Sequence, residues 1–567
     1  MPQERAKQEV TRFLGVNLRN DRANLADEDL AKAINADLHS QPGTIVLRLG
    51  RGALYTTPLA DLVVRRLAKI NGIRYQVAGE TLYREQVAIL TTLSGTHRTS
   101  ILPYRPLDDT VLWAFIADVG GMKKDDAAGE VTREWGITEP TSAPSLAVAA
   151  AGSLTGTFGF AYTFARRDAD DNLAHESNAS PTASIALAGE NATVTGIVDS
   201  TDAQVTHKRL YRTAAAGTDY LFDQEIDTGT TTATSSQADT ALGDEVEDDN
   251  DPPPNLAQIA EFQGHFFGVG DPDNPHYLWF GKRFRPEAFP VANFLEIGNP
   301  DDPLRGLAPL AGLLGVFSRA TKYRLLGSST AGFTVSEGLS HRGTIAGQAI
   351  VSAEQGIFFV ASDGVYNTNL LAHDEEISAA IAPLFNGETV NDLLPINTGA
   401  GESMAAALWR RRYYLSVPTG ESATPNLMAV WSLDTRRWYF YDHPACALLV
   451  EEDADQLAAG LDDGLVYVLE SGADDAGAGI ALDVETKDYG GGALHTRKLF
   501  LWVKLDADTV GAEITVRLYV DGTLNRTVTF TSTRTKPLLA FAEGAMGYTW
   551  RADDECRPRR RSRAGAR

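Results

Sequence analysis

Gly356-Ile-Phe-Phe-Val-Ala-Ser-Asp-Gly-Val-Tyr366 contains a strand, a turn and the start of a returning strand in one run. The apolar stretch stops at Ser362-Asp363-Gly364, which suits a tight hairpin, and Tyr366 falls where the second strand packs inward. The same order of parts recurs on both sides. It is present in Gly264-His-Phe-Phe-Gly-Val-Gly270, Ala320-Thr-Lys-Tyr-Arg-Leu-Leu326, Arg411-Arg-Tyr-Tyr-Leu-Ser-Val417 and Asp462-Asp-Gly-Leu-Val-Tyr-Val468. Tyr75 and Tyr83 belong to a similar pair upstream, and Trp431-Ser-Leu-Asp-Thr-Arg-Arg-Trp438-Tyr-Phe-Tyr441 to another downstream. Successive units lie roughly 40 to 60 residues apart, near the blade period of a β-propeller. An aromatic after each Gly- or Asp-rich turn would pack between neighbouring sheets. The competing reading is a plain β-rich protein in which Asp-Gly hairpins recur by chance.

Outward from this repeat the chain divides by composition. Residues 41–137 read as the first propeller blade or blades and 256–479 as the remainder. Between them, 138–255 opens on Glu139-Pro-Thr-Ser-Ala-Pro144 and closes on the acidic, proline-rich Glu245-Val-Glu-Asp-Asp-Asn-Asp-Pro-Pro-Pro254. Its short, evenly spaced strands predict an inserted fibronectin-III-like antiparallel sandwich. Residues 480–552 alternate with period two around Asp521-Gly522 and predict a second β-sandwich module. Residues 1–40 read as an arm with one helix, from Leu25, Leu30, Ile34 and Leu38, with Asn24 as cap and Gln41-Pro42-Gly43 as stop. Residues 553–567 are a basic tail, read either as a contact for DNA or an acidic partner, or as a disordered or frame-shifted end.

The bulk numbers narrow the function. At 567 residues the chain has room for two to four domains, and 43% apolar residues suffice for sizeable cores. A net charge of −24 argues against a general nucleic-acid-wrapping surface and against adhesion to anionic membranes. It suits a self-repelling soluble protein, or a wall past which DNA slides without sticking. Cys446 and Cys556 have no metal-binding or disulfide-framework spacing. The charged N-terminus lacks a signal-peptide core, and no apolar run approaches the ~20 residues of a membrane span. Synthesis in the cytoplasm without ordinary secretion is the expectation.

Several stretches carry a family likeness. Gly15-Val-Asn-Leu-Arg19 with Leu25-Ala-Asp-Glu-Asp-Leu-Ala-Lys-Ala-Ile-Asn-Ala-Asp37 resembles the start of bacteriophage tail hub and nozzle proteins. Lys282-Arg-Phe-Arg-Pro-Glu-Ala-Phe-Pro290, Asn293-Phe-Leu-Glu-Ile-Gly298, Gly306 to Arg319, Gly356 to Tyr366 and Ile377 to Phe385 resemble blade segments of the same group. These are the packaged-DNA stabilisation, hub or nozzle proteins of short-tailed phages. The resemblance implies a virion protein, made in the host cytoplasm and working by geometry rather than catalysis. It implies a homo-oligomeric, hexameric ring below the portal and adaptor proteins, in contact with tail fibres. The ring would be a conduit that touches genomic DNA transiently and retains it until ejection. No cofactor or metal is implied, and no integral membrane association. The 138–255 insert and the basic end depart from the pattern and leave the position within the tail open.

The sequence lacks Gly-x-Ser-x-Gly, a phosphate loop ending in Lys-Ser/Thr, and His-Glu-x-x-His. Ser362-Asp363-Gly364 is similar to sialidase propeller turns but reads better as a hairpin. His265 and His276 near Asp271 and Asp273 offer a metal set, against ordinary core or surface histidines. Glu245 to Asp251 offers cation ligands, against a solvated linker. Trp431, Trp438, Tyr439 and Tyr441 with Arg436 and Arg437 offer a stacking platform for sugars or single-stranded nucleic acid, against blade packing. Lys282, Arg283 and Arg285 around Phe284 form the preferred candidate for a subunit or adaptor contact. The rival functions are a tail-associated receptor- or glycan-binding protein and a propeller glycosidase or lyase.

Overall fold

The computed structural model describes residues 8–557, apart from 97, 129–131, 491–494, 509–512, 532–537 and 548. The basic stretch beyond Arg557 lies outside the described residues. The chain is mainly β.

Among the described residues, seven runs of four hydrogen-bonded strands follow one another along the chain; six have their strands in sequence order, six are separate four-stranded sheets, and the sixth run is part of a larger sheet. The first runs Val64–Ile70, Ile73–Ala78, Thr81–Arg84 and Val87–Leu90. The second is Ser100–Tyr104, Trp113–Asp118, Gly121–Asp125 and Arg133–Glu134. The third is Gln258–Phe262, His265–Val269, Tyr277–Phe280 and Phe294–Glu296, and the fourth Leu304–Leu310, Leu313–Ser318, Lys322–Leu326 and Thr334–Glu337. The fifth is Val351–Ala353, Gly356–Ala361, Gly364–Thr368 and Glu375–Glu376. The sixth is Ala405–Trp409, Arg412–Val417, Leu427–Ser432 and Arg437–Tyr441. The seventh takes Ala445–Glu451, Gln456–Leu461 and Val466–Leu469 from the end of the series and its fourth strand, Arg51–Ala53, from the beginning of the chain. Ser362-Asp363 is the two-residue turn read from the sequence, with Ala361 opposite Gly364.

Two compact units divide the chain: Ala68–Gly338, and Met1–Leu67 with Leu339–Arg567. In the first, strand alternation puts successive side chains on opposite faces and so builds a core on each side of the second and third sheets. Ala114 and Ile116 pack with Val77 and Leu82 of the first sheet, while Trp113 and Phe115 pack with Phe266 of the third. Phe267, beside Phe266, turns to the other face and joins Leu314 and Val316 of the fourth. The insert in this unit has its own core of Phe158, Phe160, Tyr162, Leu187, Val194 and Leu210. Hydrogen bonding joins its strands into one six-stranded sheet rather than two, because the long Ser145–Arg167 pairs along its length with three others.

In the second unit the helix expected around Leu30 is corrected. Asp29–Ile34 is a strand, with Leu30, Ala31 and Ala33 fully buried. Val16 pairs with both Leu30 and Trp438, and Leu30 to Ile34 pair with Leu482–Thr486. Pairing on both edges outweighs the weak helical preference of Leu, Ala and Lys. The segment thereby joins the sixth sheet to the C-terminal strands in one ten-stranded sheet that continues through Trp550–Arg557 and Glu513–Val520 to Thr523–Thr531. Asp521 and Gly522, both at positive φ, form the hairpin turn expected there.

Candidate functional site

The seventh sheet closes on Arg48. Its guanidinium is buried and uses all five donors. Nε donates to Asn35 Oδ1 at 2.7 Å, and Nη1 to Leu49 O at 3.0 Å and Asp475 Oδ1 at 2.8 Å. Nη2 donates to Asp475 Oδ2 and Asp442 Oδ1, both at 2.6 Å. Beside it Arg412 forms a fork on Glu470 at 3.0 and 2.7 Å, and Tyr414 Oη donates to the same carboxylate at 2.9 Å. Burial, with the charges of Glu470 and Asp37 added, raises the Tyr439 and Tyr441 phenols well above their ordinary range.

Two cavities open in the same unit. One of about 550 Å³ is lined by Arg66 and Leu67, by 350–355, by Ala406, Ala407 and Leu408, and by Leu448, Leu449 and Val450. These residues lie on or beside the first strands of the first, fifth, sixth and seventh sheets, so leading strands converge on one space. The other, about 470 Å³, is a charged cleft. There Arg22 donates to Glu485 at 2.7 Å and Asn391 at 2.9 Å, Lys32 meets Asp483 at 2.7 Å, and Arg551 meets Glu485 at 2.9 Å. Burial raises the Asp553 carboxyl, and Asp483 adds to the effect.

In Ala68–Gly338 the notable cluster is ionic and buried. Arg166 of the insert bridges Asp109 and Glu287 at 2.8 Å each. Lys124 binds the other oxygen of Glu287 and lies 4.5 Å from the Trp113 ring centroid, while Trp113 Nε1 donates to Asp109 at 2.7 Å. Burial alone would raise Glu287, but Lys124 and Arg166 outweigh it and hold it at about 2. Burial draws His175, which is near this cluster, down to about 4. The ion pairs tie the insert to the second and third sheets.

The residues singled out in the sequence have these places. Lys282 binds Glu247 at 2.9 Å, Asn250 at 2.8 Å and Asp249, and Arg285 binds Glu247 at 2.8 Å and Asp108 at 3.6 Å. The basic cluster therefore meets the acidic linker of its own chain, and Arg283 lies over Phe284 at 4.7 Å. His265 is buried and donates to Gly281 O, while Asp271 accepts from Trp279 and Asn274. Trp431, Trp438, Tyr439 and Tyr441 are core residues, each 6% exposed or less. Arg436 pairs with Glu375 and Arg437 with Asp29. Asp363 pairs with Arg342 at 3.1 Å. The sequence reading missed Arg48, Asp442, His443 and Asp475. Asp442-His443, set directly after the aromatic strand, was the available signal.

No family model matches the chain, and no curated protein matches it. Solved structures do resemble it at low similarity. One is PorZ, a bacterial surface component of the type-IX secretion system of Porphyromonas gingivalis, at 10% identity, 91% of this chain, 89% of that one and TM-score 0.25. Another is Kluyvelomyces marxianus Hsv2, at 8% identity, 61% and 94% coverage and TM-score 0.26. A third is an exo-β-1,3-galactanase from Phanerochaete chrysosporium, at 10%, 52% and 91%, and 0.22. Likeness at this level assigns neither family nor activity.

Proposed function

We propose that the four-stranded sheets are propeller blades and that the protein is a non-catalytic structural component of a phage tail. In this reading it assembles with copies of itself into a hub or nozzle ring, with adaptor and portal proteins above and tail fibres around it. The ring conducts DNA and retains it until ejection. The propeller is supported by leading strands that converge on one cavity and by a last sheet completed by an N-terminal strand.

The observation that carries assembly is an apolar face on the C-terminal module. Lys498–Leu499 pairs with Met546–Gly547, and Trp502–Lys504 with Leu538–Ala540. Phe500, Val503, Leu539 and Phe541 pack into the core, which leaves Leu499, Leu501, Trp502, Leu538 and Met546 about half exposed. An apolar patch of this kind is an interaction surface in a soluble protein. Arg497, Lys498 and Lys504 flank it in a chain of net charge −24, so the acidic exterior of a second copy is its electrostatic complement. A patch that meets a different surface on the next copy generates a ring when the rotation between copies closes.

The test is sedimentation of the full chain, with immunogold microscopy of phage particles from the source. Oligomers, and label at the tail tip or collar, are expected. A monomer at all concentrations, alone and with its neighbouring tail proteins, together with unlabelled particles, would sink the proposal. A glycan-binding reading is favoured by Tyr277, Trp279 and Phe294, half-buried aromatics on one face of the third sheet near the Glu296 carboxylate. Binding to bacterial surface polysaccharide that Trp279→Ala abolishes would support it.

A further inference from the structure

We propose that Asp442, His443 and Asp475 bind a divalent transition-metal ion, which acts as a clasp on the segment that closes the seventh sheet. The two carboxylates and the imidazole offer ligand atoms that all lie within 4.8 Å of one another. Asp442 and His443 directly follow Arg437–Tyr441, and Asp475 lies in the loop after Val466–Leu469. That loop grips the N-terminal segment: Gly50 N donates to Gly472 O, Arg51 N to Asp474 O, and Ala476 N to Arg51 O. An ion here would join the end of the sixth sheet to the loop that holds the closing strand.

His443 is the independent pointer to a ligand. It is 1% exposed, and neither ring nitrogen has a hydrogen-bond partner. A neutral imidazole carries one donor and one lone pair, and burying both unmet is costly enough that such groups are rare. An ion on one nitrogen uses the lone pair that burial otherwise leaves idle. The two aspartates supply negative charge on the same side.

Arg48 already donates to both carboxylates, so its place has to be reconciled with an ion. It takes Asp442 through Oδ1 and Asp475 through both oxygens. A carboxylate oxygen has two lone pairs, so each of these can accept from Arg48 and still ligate. Arg48 then orients the ligands from outside, as hydrogen-bonding groups behind a metal commonly do. Its positive charge weakens the site, which points to a reversible ion rather than one bound irreversibly. Two carboxylates with one imidazole suit Mn²⁺ or Zn²⁺, whereas Ca²⁺ prefers an all-oxygen cage.

Calorimetric titration of the chelator-treated full chain with Zn²⁺ and Mn²⁺, with Ca²⁺ for contrast, tests the clasp. One saturable equivalent is expected, with a melting temperature raised by about 2 °C or more at saturation. Hydrogen exchange at the Gly50 and Arg51 amides should slow on binding. Asp442→Asn should abolish both effects. Its side chain is half exposed and the amide oxygen still accepts from Arg48, so this variant is expected to fold. His443→Gln is the second variant. No binding to the wild-type chain, or undiminished binding to Asp442→Asn, overturns the proposal. Neither outcome bears on ring assembly.

Discussion

Glu287 is buried between Lys124 and Arg166, so its charge is an obligation as much as an asset. Replacing it with Gln would leave two buried cations facing one remaining carboxylate, Asp109. A loss of about 3–5 kcal/mol is expected, read from urea denaturation. The same cluster sets a pH dependence. Folded His175 takes a proton only near pH 4, whereas an unfolded imidazole does so near 6.5. Between those values the unfolded chain binds the extra proton, so stability falls as pH drops through that window, by about 3 kcal/mol from this one residue. Glu287 continues the loss from 4.5 down to about 2, because its folded carboxyl resists protonation. His175→Gln should flatten the decline in melting temperature from pH 6.5 to 4, and an unchanged slope would discount the residue. Little of this was legible in the sequence. The Lys282 to Arg285 cluster and the acidic linker both stood out, but as separate charge runs. Their pairing through Glu247 depends on how 245–251 folds back over the third sheet.

At the scale of elements, legibility followed sequence separation. Hairpins such as 356–368 and 513–531 were visible because a two-residue turn and its flanking alternation are local. Asp29–Ile34 was misread because its partners, at 437–441 and 482–486, lie more than four hundred residues away. The closing strand was missed for the same reason. Its fit depends on Gly50, where a Cβ would come within 1.8 Å of Asp474 O. Asp474 O is a backbone atom and the position of a Cβ is set by its own backbone, so no rotamer change relieves the clash. Gly50→Ala should therefore detach the closing strand. The expected result is a loss of several kcal/mol and new protease cleavage near 47–54, with Gly72→Ala as contrast. At Gly72 an added Cβ meets nothing, although its positive φ carries a small backbone cost.

For the whole molecule, the recurrence of a Gly- or Asp-rich turn with an aromatic on the next strand was legible, whereas the number of sheets and the proposed assembly surface were not: 411–417 and 431–441, read as separate units, belong to one sheet. Arg497-Lys-Leu-Phe-Leu-Trp-Val-Lys504 reads as an ordinary alternating strand, with Leu499, Leu501 and Val503 on one side. The fold breaks that alternation: Leu499–Met546 belongs to one short ribbon and Trp502–Ala540 to another, with a change of register between them. As a result Leu501 and Trp502 are both about half exposed. Half-exposed side chains contribute little to the fold and much to any surface laid over them, which separates the two roles experimentally. Trp502→Glu with Leu538→Glu places two carboxylates where the acidic exterior of a second copy is proposed to dock. Repulsion and lost apolar contact together should weaken assembly on the order of 100-fold or more in sedimentation. The melting temperature of the dilute chain should change by no more than about 2 °C, as expected for surface substitutions. Assembly that survives both carboxylates would move the interface elsewhere. A collapse in melting temperature would mean instead that the ribbon belongs to the core.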